Sequence, residues 1–122
     1  AGKRPRSSMA PTIVFKNKAP YLALGSPGGS SIINYVTNAL IAILDWQWPI
    51  QTAFDSPHII NRFGKMEIEE NTSATKHSDT FAAMGHTVVE KNLNSGLHGV
   101  LFLETGMVGA ADKRREGLVL GK

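Results

Sequence analysis

The sequence contains no cysteine, so disulfide bridges, thiolate nucleophiles and cysteine-ligated metal sites are excluded for this chain. It also lacks a membrane span, because the apolar run Ala39–Leu44 is far shorter than the roughly 20 residues that a bilayer requires. Aromatic residues make up only 7% of the chain, and the basic clusters near its two ends are not interleaved with them. A nucleic-acid partner is therefore not predicted.

Several common catalytic signatures are missing as well. There is no G-x-S-x-G nucleophile elbow, no P-loop lysine and no pair of histidines at the spacing of a zinc site. We therefore expect neither a metal ion nor a cofactor. The four histidines are predicted to be ordinary surface or core residues, and they are His58, His77, His86 and His98.

What the sequence does contain is a glycine-rich turn between a strand and a long apolar helix. The turn is Gly25–Ser30, preceded by the predicted strand Pro20–Leu24 and followed by the predicted helix Ser31–Trp46. This order directs unpaired N–H groups, at the positive end of a helix dipole, toward one point beyond the strand. Two interpretations stay open: a plain connection in which Ser30 or Ser31 caps the helix, or an anion or oxyanion site.

The predicted elements indicate an α+β fold, with helices layered against a mainly antiparallel sheet and residues 1–122 forming a portion of a single domain. Because the helix Ser31–Trp46 has only a narrow polar stripe, we expect it to be covered on both sides. The other predicted helices are Pro49–Asp55 and Thr72–Met84. The predicted strands are Thr12–Phe15, Pro20–Leu24, Lys65–Glu69, His86–Glu90, Gly99–Glu104 and Met107–Ala111.

Alternation in Lys65–Glu69 places two carboxylates, Glu67 and Glu69, on one face of a predicted strand. We expect a solvated edge there. A general acid/base pair is the alternative interpretation.

Three groups of residues together resemble the γ-glutamyltranspeptidase family. They are the run S-S-M-A-P-T-I-V at Ser7–Val14, the turn G-S-P-G-G at Gly25–Gly29, and Ala110–Asp112 with Arg114 close behind. The likeness is to the C-terminal part of the small subunit, and it continues in order from about Lys3 onward.

The resemblance implies the fold of the N-terminal nucleophile hydrolases, a four-layer αββα sandwich made by a precursor that cuts itself into a large and a small subunit. In that family the N-terminal threonine of the small subunit attacks the γ-glutamyl carbonyl of glutathione or a similar compound. Its own amine serves as the general base. The acyl group then passes to water, an amino acid or a dipeptide. No cofactor is implied, and the implied location is periplasmic or secreted.

The resemblance also assigns roles within this chain. Gly28 and Gly29 would donate backbone N–H groups to the oxyanion, and Ser7 and Ser8 would hold the α-carboxylate of the donor. The catalytic threonine belongs to the remaining small-subunit segment, and the arginine that pairs with that carboxylate belongs to the large subunit. We therefore expect this chain alone to be inactive. Lys113 stands where the family commonly has a proline, in a loop with no expected role in the chemistry.

Two alternatives accompany this assignment. A cephalosporin-acylase-like member would share the scaffold and act on a different substrate. A catalytically inert structural homologue would share only the fold, and the matching residues at Ser7, Ser8, Gly28 and Gly29 argue against it.

Overall fold

The computed structural model describes residues 2–121, which form seven strands in two sheets together with three α-helices, so the predicted α+β class is confirmed. The helices are α1 (Ile32–Leu44), α2 (Ile50–Asp55) and α3 (Ser78–Ala83). The strands are β1 (Thr12–Lys16), β2 (Ala19–Gly25), β3 (Ile59–Asn61), β4 (Met66–Glu69), β5 (Val88–Lys91), β6 (His98–Leu103) and β7 (Gly106–Ala111).

The larger sheet is antiparallel, in the order β1-β2-β6-β7. Asn17 and Lys18 close the first hairpin with positive φ values of 52° and 66°, a geometry whose twist matches that of paired strands. Strand β2 then pairs with β6, so that Leu22 lies opposite Leu101. The glycine-rich turn therefore follows a strand that is central in its sheet.

The smaller sheet has the order β3-β4-β5, with β4 antiparallel to β3 and parallel to β5. Among the described strands only β4 and β5 pair in parallel, so the expectation of mainly antiparallel pairing is confirmed. The expected solvated edge is wrong, because β4 has neighbours on both sides and Glu69 is only 8% exposed. Burial of this carboxylate is possible because Arg114 supplies the opposite charge.

The hydrophobic core lies where α1 and α2 pack on the larger sheet. Phe54 of α2 and Leu22 of β2 are fully buried there. Gly99 allows the close approach, since a Cβ at that position would lie 3.0 Å from Phe54 Cζ. Helix α1 buries one side only. The other side of α1 carries exposed apolar residues, which are Ile33, Ile41 and Leu44. The cover expected on this second side is therefore not provided by residues 2–121.

The outer face of the larger sheet is also apolar. The register aligns Ile13, Ala23, Val100 and Gly109 across the four strands, and Ile13 is 62% exposed. Val119 folds back onto this row, because its Cγ1 lies 2.6 Å from the place a Cβ on Gly109 would take. We call Ile13, Ala23, Val100 and Gly109 the outer apolar row. Ile13 is its exposed member, whereas Ala23, Val100 and Gly109 are half-buried.

The helix predicted over Thr72–Met84 is shorter and broken. A 3₁₀ turn, Ser73–His77, precedes the six-residue α3, and Gly85 ends it with φ of 90° as the predicted C′ residue. Strand β3 was not predicted from the sequence, because three residues are too few to show a period.

Candidate active site

The glycine-rich turn adopts a backbone that only glycine supports comfortably. Gly28 has φ of 137° and Gly29 φ of 58°. A Cβ at Gly28 would lie 2.7 Å from Cε2 of Tyr35, so the ring packs directly on this backbone. No hydrogen bond from either glycine N–H to another residue within 2–121 closes the turn. Both amides are therefore available to an external acceptor.

Helix α1 begins without the predicted serine cap. Ser31 occupies the N-cap position, but its backbone is α-helical, with φ of −86° and ψ of −9°, and its side chain makes no capping hydrogen bond. A capping side chain needs an extended backbone at that position, so the interpretation in which the side chain of Ser30 or Ser31 caps the helix is wrong. The first turn of α1 contains no acidic residue, so the helix itself supplies no negative charge at its positive end, which follows directly on Gly28 and Gly29.

A loop from the other end of the chain holds this turn in place. The Gly96 N–H donates to Ser26 Oγ over 3.1 Å, and the Ser26 hydroxyl donates to the Pro27 carbonyl over 2.7 Å. A Cβ on Gly96 would lie 2.7 Å from Pro27 Cγ and 2.8 Å from Arg115 Cδ. Gly96 is thus packed between the turn and Arg115, which fixes all three relative to one another.

Gly28 and Gly29 line an open cavity of about 560 Å³. We call it the glycine cavity. Its lining also includes three cations and two amides, and no carboxylate belongs to it. These polar side chains are Arg62, Lys91, Asn92, Asn94 and Arg115. The cavity combines oriented N–H donors with positive charge, so it suits an anion or a developing oxyanion.

The two predicted carboxylate-binding serines lie on the arm that precedes β1. Ser7 is exposed and its Oγ accepts from the Met9 N–H over 3.2 Å, whereas Ser8 is half-buried. Because Thr12 pairs with Leu24, this arm leaves the sheet at the same end as the glycine turn. Neither serine lines the glycine cavity. Their predicted role stays a prediction.

A buried ionic network lies behind the cavity, and sequence analysis missed it. Arg114 donates from Nε to Glu69 Oε1 over 2.6 Å and from Nη2 to Glu69 Oε2 over 2.8 Å. Its Nη1 reaches Asp112 Oδ1 at 3.1 Å, and its remaining contacts are the carbonyls of Phe54 and Ser56, each at 2.9 Å. A guanidinium with all of its N–H groups hydrogen-bonded to the protein has a structural role. In the sequence it is hidden within the basic run Lys-Arg-Arg.

The network continues from Asp112 to the glycine turn. The buried Ser95 hydroxyl donates to Asp112 Oδ2, and Ser95 Oγ in turn accepts from His58 Nε2 over 2.7 Å. The His58 ring packs against Tyr35, with centroids 4.4 Å apart and ring planes tilted by 40°, and Tyr35 packs on Gly28. The geometry differs from a catalytic triad, because Ser95 is fully buried and the aspartate contacts the serine and not the histidine.

Burial and charge perturb the ionisable groups of this network. Desolvation by burial, with Arg114 nearby, lowers the pKa of His58 to about 4. Burial alone would raise the pKa of Asp112, but hydrogen bonds from Ser95 and the Arg114 backbone outweigh it and hold that pKa below its usual range. Burial opposes the charge of Arg114 too, but Glu69 outweighs it and raises the Arg114 pKa. His58 is therefore neutral at pH 7 while the ion pairs stay charged.

No group of three histidine or acidic residues within 2–121 has the arrangement of a metal site. None of the helices there combines the length and apolar character of a membrane span. The predicted surface or core role of the histidines fits His58, which is buried.

Comparison with known proteins identifies the family. The family model described as Gamma-glutamyltranspeptidase matches residues 1–121. The glutathione hydrolase proenzyme of Bacillus subtilis strain 168 is 32% identical over 98% of this chain, and the Acylase ACY 1 proenzyme of Pseudomonas sp. strain SE83 is 30% identical over 95%. The chain spans 21% of the length of each of these two relatives.

The solved structure of a γ-glutamyltranspeptidase from Pseudomonas nitroreducens, complexed with L-DON, superposes with a TM-score of 0.89 at 26% identity. The match covers 99% of this chain and 65% of that one. The predicted fold class, α+β as part of the αββα sandwich of the N-terminal nucleophile hydrolases, is confirmed. With the sequence match, the likeness to part of the small subunit is confirmed as well. The chain belongs to the γ-glutamyltranspeptidase family.

Proposed function

We propose that this chain forms part of a γ-glutamyltransferase and glutathione hydrolase in which the amides of Gly28 and Gly29 stabilise the oxyanion. The observation that carries this proposal is the pair of unpaired N–H groups beside the glycine cavity, at the uncapped start of α1. Oriented donors of this kind stabilise negative charge as it develops on a carbonyl oxygen.

The remaining chemistry would come from other parts of the same precursor. An N-terminal threonine, with its own amine as base, would attack the γ-glutamyl carbonyl and form the acyl-enzyme. The acyl group would pass to water, an amino acid or a dipeptide. Thr12 does not fit the role of nucleophile, because it lies inside the chain and has no free amine. The large subunit and the remaining small-subunit segment complete the heterodimer, in a periplasmic or secreted setting, and this chain alone is inactive.

Ser7 and Ser8 would bind the α-carboxylate of the γ-glutamyl donor through charge-assisted hydrogen bonds. Support comes from the shared direction of their arm and the glycine turn at one end of the β1–β2 hairpin. The carboxylate would then lie on one side of the reacting carbonyl and the glycine cavity on the other.

Gly29 provides the sharper test of the oxyanion assignment. A Cβ at Gly29 meets no atom within 4 Å, whereas one at Gly28 strikes Tyr35, so Gly29→Ala perturbs the amide with little damage to packing. In the processed enzyme we expect Gly29→Ala to lower kcat by roughly 10²- to 10³-fold with a small change in KM, the typical loss for one oxyanion donor. Release of p-nitroaniline from a γ-glutamyl anilide measures it.

The matched control is Gly85→Ala. Gly85 also has a positive φ, of 90°, and a Cβ added there would meet no atom within 4 Å. It differs in that it ends α3 and does not line the glycine cavity. Both variants carry a similar backbone strain of about 1–2 kcal/mol. A folded Gly29→Ala enzyme with kcat equal to that of Gly85→Ala would refute the oxyanion role.

An acylase is the second candidate, favoured by the 30% identity to Acylase ACY 1 proenzyme. Three anilide substrates distinguish a transpeptidase, an acylase and an inert homologue. The first is the γ-glutamyl anilide. The second is the glutaryl anilide, which lacks the α-amino group, and the third is the 4-aminobutyryl anilide, which lacks the α-carboxylate. A transpeptidase cleaves the first far faster than the other two. Preference for glutaryl would support a cephalosporin-acylase-like enzyme. Cleavage of none by a processed protein would support an inert structural homologue.

A further inference from the structure

We propose that Arg62 and Arg115 form a subsite for a carboxylate on the amine half of the substrates. By amine half we mean the amine that leaves the γ-glutamyl donor or the amine that accepts the acyl group, and by acyl half the γ-glutamyl group itself. This inference rests on the proposed function, because it places the amine half relative to the oxyanion. It adds a specificity site to the glycine cavity. The ligand is an amino acid or dipeptide carrying a free carboxylate.

The position of the cavity supports this assignment. The acyl half and the amine half meet at the carbonyl whose oxygen Gly28 and Gly29 would hold. Ser7 and Ser8 would take the acyl half, and neither lines the glycine cavity. A cavity that begins at the glycines and excludes the serines is where the amine half would lie.

The charge of the cavity points to an anion. Lys91 is already paired, since its Nζ lies 3.1 Å from Glu67 Oε1. Arg62 forms no salt bridge with any described residue, and neither does Arg115. These two guanidinium groups therefore contribute uncompensated charge beside the oxyanion donors. A carboxylate matches the paired N–H geometry of a guanidinium better than a neutral group does.

Arg115 is also held in position. Its Nε and Nη2 donate to the Asn94 carbonyl at 3.2 and 2.9 Å, and its Cδ packs beside Gly96, which anchors the glycine turn. The guanidinium is thus fixed relative to Gly28 and Gly29 while the Nη1 group stays free of protein hydrogen bonds within residues 2–121. A preorganised cation loses less side-chain entropy on binding a ligand.

The subsite draws on three separated parts of the chain. Arg62 follows β3, Lys91 ends β5 and Arg115 lies beyond β7. The sequence does not bring these residues together, and no motif contains them all. Their convergence on the turn is visible only in the folded chain.

Two donors that differ in one group test the proposal in the processed enzyme. They are γ-glutamyl p-nitroanilide and γ-glutamyl 3-carboxy-4-nitroanilide, of which only the second has a carboxylate on its leaving group. For Arg62→Gln and for Arg115→Gln, we expect the ratio of kcat/KM for the carboxylated over the plain anilide to fall roughly tenfold, as for loss of one charge-assisted contact. Arg115→Lys should keep part of the preference.

A second measurement uses acceptors in place of leaving groups. With glycylglycine and glycylglycine amide as acceptors, the same variants should lose preference for the free carboxylate by a similar factor. Lys113→Gln removes one charge from the neighbouring position, where Lys113 pairs with Asp55, and should leave both ratios unchanged.

The outcomes separate this proposal from the proposed function. Wild-type enzyme that cleaves both anilides, with both ratios unchanged in Arg62→Gln and Arg115→Gln, overturns the subsite alone. Equal losses on both anilides, or the same ratio change in Lys113→Gln, also overturn it, because they indicate a structural or long-range effect. Wild-type enzyme that cleaves neither anilide overturns the proposed function and the subsite together.

Discussion

Arg114 and Arg115 are adjacent in the sequence and have opposite environments in the fold. Arg114 is 16% exposed in its side chain and has both a bidentate carboxylate and two carbonyl partners. Arg115 is exposed, bonds one carbonyl, and faces a cavity without acidic residues. One guanidinium is fully satisfied by the protein, whereas the other has hydrogen-bonding capacity left over.

The difference shows how to distinguish a structural cation from a binding cation. A buried arginine that lost its partners would leave an uncompensated charge, so it contributes to stability only while all of its contacts are present. An exposed arginine contributes little to stability and keeps its charge for a ligand. Substitutions that remove one contact at a time should therefore affect stability at Arg114 and selectivity at Arg115.

The largest effect is expected for Glu69→Gln. The amide keeps the shape of the carboxylate and removes its charge, so Arg114 would be left with Asp112 as its sole charged partner. Breaking a buried pair in this way costs about 3–5 kcal/mol. We expect a large fall in the urea midpoint of the processed enzyme, measured by tryptophan fluorescence. A decrease of less than about 1 kcal/mol in the free energy of unfolding would show that the network does not have this structural role.

Protonation of His58 should cause a pH-dependent loss of stability, intermediate in size between the other two effects. Its pKa is lowered from 6.5 to about 4 in the folded protein, so between these values the unfolded state binds more protons. Stability is present in full above about pH 6.5 and is lost as pH falls toward 4, by about 3 kcal/mol in all. Unfolding midpoints at pH 7.5, 6 and 5 measure it.

His58→Gln should flatten this dependence, because the titrating ring is gone. The exposed His77→Gln is its control and should keep the wild-type slope. An unchanged slope in His58→Gln would show that another group is responsible.

The smallest effect is expected for Lys113→Gln. Lys113 Nζ lies 2.6 Å from Asp55 Oδ2, but its side chain is 76% exposed, and solvent-exposed ion pairs typically contribute between 0 and 1 kcal/mol. We expect a change in unfolding free energy within about 0.5 kcal/mol and no change in kcat. A larger loss would mean that position 113 affects the packing of Arg114.

The local elements were well predicted from the sequence. The β1–β2 hairpin, the glycine turn, α1 and the β6–β7 hairpin all follow from periodicity and turn residues, because their hydrogen bonds run between neighbours in sequence. The family resemblance also pointed to Gly28 and Gly29, which the structure places in one cavity.

The contacts between distant residues could not be predicted in this way. Glu69 and Arg114 meet across 45 positions, and each sits in a charged context that suggests solvent exposure. Their burial depends on β4 being a central strand, which periodicity in Lys65–Glu69 does not reveal. The same limit hid the role of Asn94 and Gly96 in positioning Arg115.

The hydrogen bond from Gly96 to Ser26 also has a consequence for the timing of folding. The two residues are 70 positions apart, and chains grow at about 5–20 residues per second, so the turn exists for roughly 4–14 seconds before its anchor is synthesised. During this interval β2 also lacks its partner β6. The glycine turn, with its proposed oxyanion donors, can therefore become ordered only late in synthesis, and a chain that stops before residue 96 would carry the glycine motif without a fixed geometry.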